Sequence, residues 1–351
     1  MYGNVTVAVL EGIAYQYYYE EAAPVYRVAI PILICLCVAG LTANAAILLS
    51  LRWITDLHPT LKVTYSLASS DLWTTLIVLV GIIFNSYLPY VAQVDKFSRQ
   101  DCYMHILEAF RLGAMVTSVW HLLLMAVCHY MLTAYPITHK EKLQRALLPI
   151  LLLIWLAPSV FFMTLFLLNY DATLGEPLCR ADLTTSNAFR GTVFALVAVS
   201  LLVTSLIYVQ LVRRLQSVGL AARHQPAARR RSRTINTALL IVATFLIGWV
   251  PGVLWFLITC DACPYPIQHM YISRPSLVCY FGVSVNTLII GKAILNPTIY
   301  ALRMPDIQGA FLKAKHRLVN QCSWCRPSAD YQLATGLTLP VNQILQPTTA
   351  L

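Results

Sequence analysis

The chain has 351 residues, of which 58% are hydrophobic and only 11% charged, and it carries a formal net charge of +10. A soluble domain has about a quarter of its residues charged, so this composition excludes an ordinary soluble fold and places most of the chain in lipid. The cations lie in short runs between apolar stretches rather than on one folded surface, which excludes a nucleic-acid-binding reading.

Residues 1–27 read as an N-terminal arm outside the membrane. Its first 26 residues contain Glu11, Glu20 and Glu21 but no Lys or Arg, and no basic start leads into an apolar core, so no cleavable signal peptide is expected. Asn4-Val5-Thr6 is a glycosylation sequon. "YQYYYEE" at 15–21 sets tyrosines beside two carboxylates, as a sulfated or ligand-contacting arm would, or as a polar lead-in to the membrane.

Apolar runs of roughly bilayer length follow at 28–51, 61–87, 103–130, 147–169, 189–213, 235–259 and 277–301, which predicts seven spanning helices. Each run is far longer than a strand and none alternates strictly, so a β-barrel is excluded. Basic residues follow the odd-numbered spans: Arg52 and Lys62, then Lys140 and Lys142, then the run around Arg229 to Arg233, then Lys313 to Arg317. The positive-inside rule makes those sides cytoplasmic and the N-terminus extracellular.

Cys102 and Cys179 fall on the outer side, where a Cys102–Cys179 disulfide is expected to tie the loop before the fifth span over the mouth of the bundle. Cys260 and Cys263 form a second outer pair, read as a loop staple rather than as redox or zinc chemistry. "DIQGAFLKAKHRL" at 306–318 has apolar residues at helical spacing among cations, which predicts a helix along the inner leaflet within a segment 303–320. Cys322 and Cys325 just beyond it are palmitoylation candidates. The polar tail 321–351 is expected to be disordered and cytoplasmic, and Thr349 and Leu351 at its end suit a PDZ-domain ligand.

The spans also carry Asn44 in the first, "LASSD" ending at Asp71 in the second, Trp155 in the fourth, Tyr208 in the fifth, "FLIGWVP" at 245–251 in the sixth and "NPTIY" at 296–300 in the seventh. In this order on these helices, they resemble the rhodopsin-like G-protein-coupled receptors over about residues 28–318. The resemblance implies an all-α fold, a seven-helix transmembrane domain at 28–302 in the plasma membrane, and no cofactor. It implies an extracellular ligand and a heterotrimeric G protein, and further suggests arrestin. Its switch residues map to Tyr208, Phe245, Trp249, Pro251, Asn296, Pro297 and Tyr300, with Pro251 a pivot above which ligand presses and below which the sixth helix swings outward. An unrelated transporter fits less well, because no internal repeat or broken helix pair is evident. No HExxH, P-loop or GxSxG pattern points to an enzyme.

Lys292 departs from that pattern. A lone charge at mid-bilayer costs roughly 2.5–3.5 kcal/mol or more, so it needs a partner. Asp71 and Lys292 each lie about ten residues from the cytoplasmic ends of their spans, or ~14–15 Å deep at the helical rise, so they share a layer. In similar receptors the matching aspartate holds a sodium ion with help from a serine like Ser118 and an asparagine where Lys292 stands, with Asn296 close by. The expectation is an ammonium in place of the ion. An opsin lysine stands seven residues before the seventh-helix proline, where this chain has Ile290, and the two-residue offset turns Lys292 away from a ligand cavity.

Cys128-His129-Tyr130 stands where the family has Asp-Arg-Tyr. No resting ionic lock can form there, and a histidine near cations, with an ordinary pKa of about 6.5, is expected to be mostly neutral. Either raised basal activity or weak G-protein engagement follows, which keeps a non-signalling, scavenging receptor as the alternative. Arg111 occupies the place where aminergic receptors carry an aspartate, which disfavours an amine. The candidate ligand set is Arg111, Glu108, Met115, Arg190, Trp249 and Asn286. Arg111 and Arg190 suit an acidic peptide, lipid or small acid, unless Arg111 is taken by Glu108 at helical spacing.

Overall fold

The computed structural model describes residues 2–94, 102–134, 140–168, 170–171, 178–179, 182–217, 226–260 and 262–321. Cys322, Cys325, Thr349 and Leu351 lie outside these residues, as do the side chains of Asn4, Cys102 and Cys179.

Seven helices are long and apolar enough to cross a membrane among the described residues. They are α1 (Tyr2–Ser50), α2 (Pro59–Ile82), α3 (Cys102–Ala134), α4 (Lys140–Leu168), α5 (Asn187–Ser217), α6 (Pro226–Ile258) and α7 (Pro275–Arg303). An amphipathic helix α8 (Pro305–Gln321) follows α7 after a break at Met304, whose extended backbone and the following Pro305 end one helix and start the next. It buries Ile307 and Ala310 and exposes Leu312, Lys313 and Lys315. A two-residue antiparallel pair, β1 (Tyr170–Asp171) with β2 (Leu178–Cys179), pairs Tyr170 with Cys179, and β2 lies against α3.

The helices bundle about α3, which is the most enclosed of them. α1 packs between α2 and α7, α6 against α5 and α7, and α3 against α2, α4, α5 and α6. Lipid replaces water outside, so association cannot rest on hiding oil from water and relies on close fit and interhelical hydrogen bonds. Gly113 provides the first: a Cβ there would stand 3.1 Å from the Ser159 Cα, so α3 and α4 approach to backbone contact. Outward faces are apolar, as with Leu152, Leu156 and Val160 on α4 and Leu202 and Leu206 on α5.

The helices overrun the apolar runs because backbone hydrogen bonding continues past the last apolar residue. α2 extends to Val91 through a nine-residue π-helical stretch, Ile83–Val91, that contains Pro89. No break occurs at residue 27: α1 continues through it. Tyr18, Ala22 and Ala23 are buried against Tyr90, Met270 and Val278 in a second apolar cluster, the Tyr19 hydroxyl donates to the Pro89 carbonyl at 3.1 Å, and Tyr18 and Tyr26 share a hydrogen bond of 3.1 Å. Tyr18 and Tyr19 therefore brace the end of the bundle rather than reaching out as an arm, and the 3% exposure of Tyr18 leaves no room for a sulfate.

Replacing Tyr18 by Ala removes a buried ring and is expected to cost about 3 kcal/mol. The melting midpoint of the purified protein in detergent should fall for Tyr18→Ala by clearly more than for Tyr18→Phe, which keeps the ring and loses only the bond to Tyr26.

Candidate functional site

The centre of the bundle is polar. Asp71 and Asn296 are fully buried and Lys292 is 3% exposed. The Lys292 ammonium donates to Asp71 Oδ1, Asn296 Nδ2 donates to Asp71 Oδ2 at 2.6 Å, and Thr244 Oγ1 donates to Asn296 Oδ1 at 2.8 Å. One carboxylate thus joins α2 to α7, and one amide joins that pair to α6. The ammonium also lies 5.4 Å from the centroid of the Phe245 ring, on α6. Such contacts matter because breaking a buried pair leaves a charge with no solvent to take it.

Gly248 makes the arrangement fit. A Cβ at Gly248 would stand 2.9 Å from the Lys292 Cβ and 3.3 Å from the Leu288 carbonyl oxygen. The first distance is below van der Waals contact, so only glycine lets the stem of Lys292 pass between α6 and α7. Gly248 immediately precedes Trp249, so the lysine leans on the turn that carries that indole.

Ser118 does not reach the carboxylate. Its hydroxyl pairs with Ser70 at 2.9 Å, joining α2 to α3 one residue before Asp71. Asn44 donates to the carbonyls of Gly40 at 2.9 Å and Ala293 at 2.8 Å, which fastens α1 to the residue after Lys292. Farther from the ion pair, Ser66 takes a bond from Trp155 Nε1 at 3.0 Å and meets His121 Nε2 at 2.7 Å, tying α2, α3 and α4.

At the end that carries Arg233 and Arg303, the His129 Nδ1 meets the Tyr208 hydroxyl at 3.3 Å. Cys128 is buried and unpaired, and Tyr130 lies under Arg214 at 5.3 Å. His129, Arg233 and Arg303 line a cavity of about 400 Å³ together with His58 and Asp306. His58 accepts the Leu61 N–H at the start of α2 and lies 3.4 Å from Asp306 on α8, so the cavity rim is held by a cap. Phe245 and Trp249 sit one turn apart on α6, their centroids 6.4 Å apart, and both are buried. The Trp249 Nε1 and the Tyr300 hydroxyl are buried without a hydrogen-bond partner. Pro251 and Pro297 lie inside α6 and α7.

Toward the opposite end, Arg111 Nε and Nη2 both donate to the Glu108 carboxylate, the first at 2.7 Å, with side chains 36% and 24% exposed for Arg111 and Glu108. The pair and Asn286 border a cavity of about 370 Å³ between α2, α3 and α7. Arg111 also borders, with Met115 and Trp249, a space of only about 30 Å³, the size of one water. Arg190 is turned away from these cavities. Its guanidinium donates to Thr184 O at 2.6 Å, and to Phe256 O and Thr259 Oγ1 at 2.8 Å each, and stacks over Phe256. Counting along α5 gave its depth but not its rotation, and a guanidinium so engaged fastens α5 to α6. Cys260 and Cys263 form a disulfide in the loop after α6.

Gly248, Thr244, Ser70 and His121 were missed by sequence reasoning. A glycine inside a membrane helix directly before a tryptophan was the available signal for the first, and a lone histidine in an apolar run for the last.

A bundle of seven membrane-length helices about a buried polar centre, with a proline inside each of α6 and α7, is the build of a seven-helix membrane receptor. Residues 43–300 match the family described as 7 transmembrane receptor (rhodopsin family), and the chain belongs to it. Among curated proteins, it is 25% identical over 282 residues to G-protein coupled receptor 12 of Mus musculus and of Homo sapiens, covering 77% of this chain and 73% of either relative. It is 29% identical over 107 residues to 5-hydroxytryptamine receptor 1A of Xenopus laevis, covering 30% of this chain and 22% of that one.

Lys292→Met is expected to cost about 3–5 kcal/mol by stranding the Asp71 carboxylate, and Asp71→Asn added to it should recover much of the loss. Gly248→Ala should cost about 1–3 kcal/mol by overpacking. Its effect should shrink in a Lys292→Ala background, where the opposing stem is gone. Melting midpoints of the five purified variants, the Lys292→Ala background included, check all three statements.

Proposed function

We propose that this chain is a plasma-membrane receptor, with its N-terminus outside, that binds a non-aminergic extracellular ligand and drives a heterotrimeric G protein by outward movement of α6. The observation that carries this reading is the path through α6. Trp249 borders the space under Arg111 and Met115, the preceding Gly248 holds the Lys292 stem, and Thr244 holds Asn296. Pressure on the indole therefore acts on the same turns of α6 that touch the ion pair, with Pro251 as the pivot where a backbone bond is missing. The ~400 Å³ cavity beside His129 is where the opened α6 would admit its partner.

In this reading the Lys292 ammonium takes the place that sodium holds in similar receptors, supplying the same charge permanently. The receptor is then blind to sodium. The unpartnered Tyr300 hydroxyl favours movement, since a buried unsatisfied group costs about 1–3 kcal/mol and a rearrangement that brings Tyr208 or water to it recovers that. A ligand carrying only an amine charge fits poorly despite the likeness to a 5-hydroxytryptamine receptor, because the one carboxylate of the cavity, Glu108, is already bonded by Arg111 and a cation that took it would strand the guanidinium. His129 supports one competing reading, a receptor that internalises ligand without second messengers: an imidazole bonded to Tyr208 offers a G protein far less than a guanidinium would.

Two measurements test the proposal. Exchanging sodium for choline at constant ionic strength should leave the wild-type melting midpoint unchanged, whereas Lys292→Asn should gain a sodium-dependent rise of several degrees. In cells reporting a panel of G proteins and arrestin, Cys128→Asp/His129→Arg should change basal and stimulated signals relative to wild type. Identical signals from both forms would remove the atypical-coupling claim.

A further inference from the structure

The Glu108–Arg111 pair is the one ion pair of the described residues that both lines a ligand-sized cavity toward the end away from Arg233 and stays partly open to it. Its volume of about 370 Å³ falls in the range of small-molecule sites. Asn85, Ser86 and Asn286 add uncharged polar groups to its wall, and the Asn286 amide donates to the Gly282 carbonyl at 3.0 Å, which directs its oxygen elsewhere. The deeper space over Trp249 holds no more than about one water, so a ligand's main body rests beside the pair, not below it.

That pairing restricts what binds. Glu108 and Arg111 cancel each other, so the cavity offers no net charge to an ion of either sign. An anion that takes the guanidinium evicts Glu108, and the displaced carboxylate, three-quarters buried, loses both of its donors. A cation that takes Glu108 strands the guanidinium in the same way. A ligand bearing both charges replaces both halves at once: its carboxylate takes the paired N–H groups of Arg111, its ammonium takes the Glu108 oxygens, and four alternating charges result. We infer that the α2–α3–α7 cavity is a site for a small zwitterion carrying an ammonium and a carboxylate on one carbon, an α-amino acid, with Asn85, Ser86 and Asn286 left to read its side chain. This deepens the receptor reading above and rests on it for the direction from which ligand arrives.

The test uses the purified full-length chain in detergent and the twenty common amino acids at millimolar concentration, each beside its decarboxylated amine and its deaminated acid. Expected is a rise of several degrees in melting midpoint with at least one amino acid, and at least a tenfold weaker apparent affinity for both of its analogues. Glu108→Gln should move the preference toward the acid analogue and Arg111→Gln toward the amine, and the ladder on the wild-type chain decides the matter even where either variant fails to fold. No shift with any amino acid, or an equal shift with a singly charged analogue, overturns the assignment. The melting assay contains no G protein, so binding without a cellular response sinks the signalling proposal alone, and a cellular response to some other ligand with no amino-acid shift sinks this one alone.

Discussion

A lysine with 3% exposure in the middle of a lipid-crossing helix constrains everything around it. An ammonium there has no water to hydrate it, so the fold has to bring a carboxylate, and the carboxylate has to bring further donors for its own second oxygen. Asp71 and Asn296 satisfy these demands, which fixes α2 against α7 in rotation as well as depth. The lysine stem then needs a path, and Gly248 opens it through α6. Three helices are thereby held at one height by a single charge, and the proline in α6 lies only three residues from the glycine that makes this possible.

The same rule, that a polar group in lipid needs an internal partner, organises the rest of the bundle. Ser50 with Tyr65, Ser66 with His121 and Trp155, Ser70 with Ser118, and Asn44 with Ala293 are each bonded across a helix boundary. α2 takes part in all but the last of these contacts, meeting α1, α3 and α4 in turn. The exceptions stand out against this background. Among the described residues Asn44 Oδ1, Trp53 Nε1, Trp249 Nε1 and the Tyr300 hydroxyl are buried without partners, and the last two belong to the helices interrupted by Pro251 and Pro297. Unsatisfied groups next to weakened backbone mark the places where a second arrangement of the same helices has something to gain.

Much of the architecture was readable in the chain, since a bilayer demands long apolar runs and each helix must satisfy its own backbone. Asp71 and Lys292 fall in one layer by counting residues from the membrane edge, because the rise per residue is fixed. Rotation about each helix axis is not fixed by counting, and the surprises lie there. Arg190 has the depth of a ligand-facing cation but turns to the carbonyl end of α6. Ser118 faces Ser70 rather than the Asp71 carboxylate. The tyrosines near the N-terminus read as a polar arm because their hydroxyls dominate a sequence view, whereas Tyr18 packs by its ring. The ends of helices were equally hidden, as apolar runs stop where side chains turn polar while the backbone ladder continues.

Two ion pairs among the described residues, Lys292–Asp71 and Arg111–Glu108, differ in access to solvent. Lys292 and Asp71 are closed off on all sides, so their attraction is unscreened and any ligand able to separate them would have to supply two charges inside the protein. Glu108 and Arg111 retain roughly a quarter to a third of their side-chain exposure, so water already competes for them and exchange with a ligand's charges costs far less. Strength at depth and lability near the mouth suit a receptor, which must exchange ligand at one level and keep its helices in register at another. The two levels meet at Trp249, which borders the space beneath Arg111 on one side and follows the glycine that holds Lys292 on the other. A displacement of the upper pair therefore has a short, packed route to the lower one, and that route runs along α6, the helix that Pro251 interrupts.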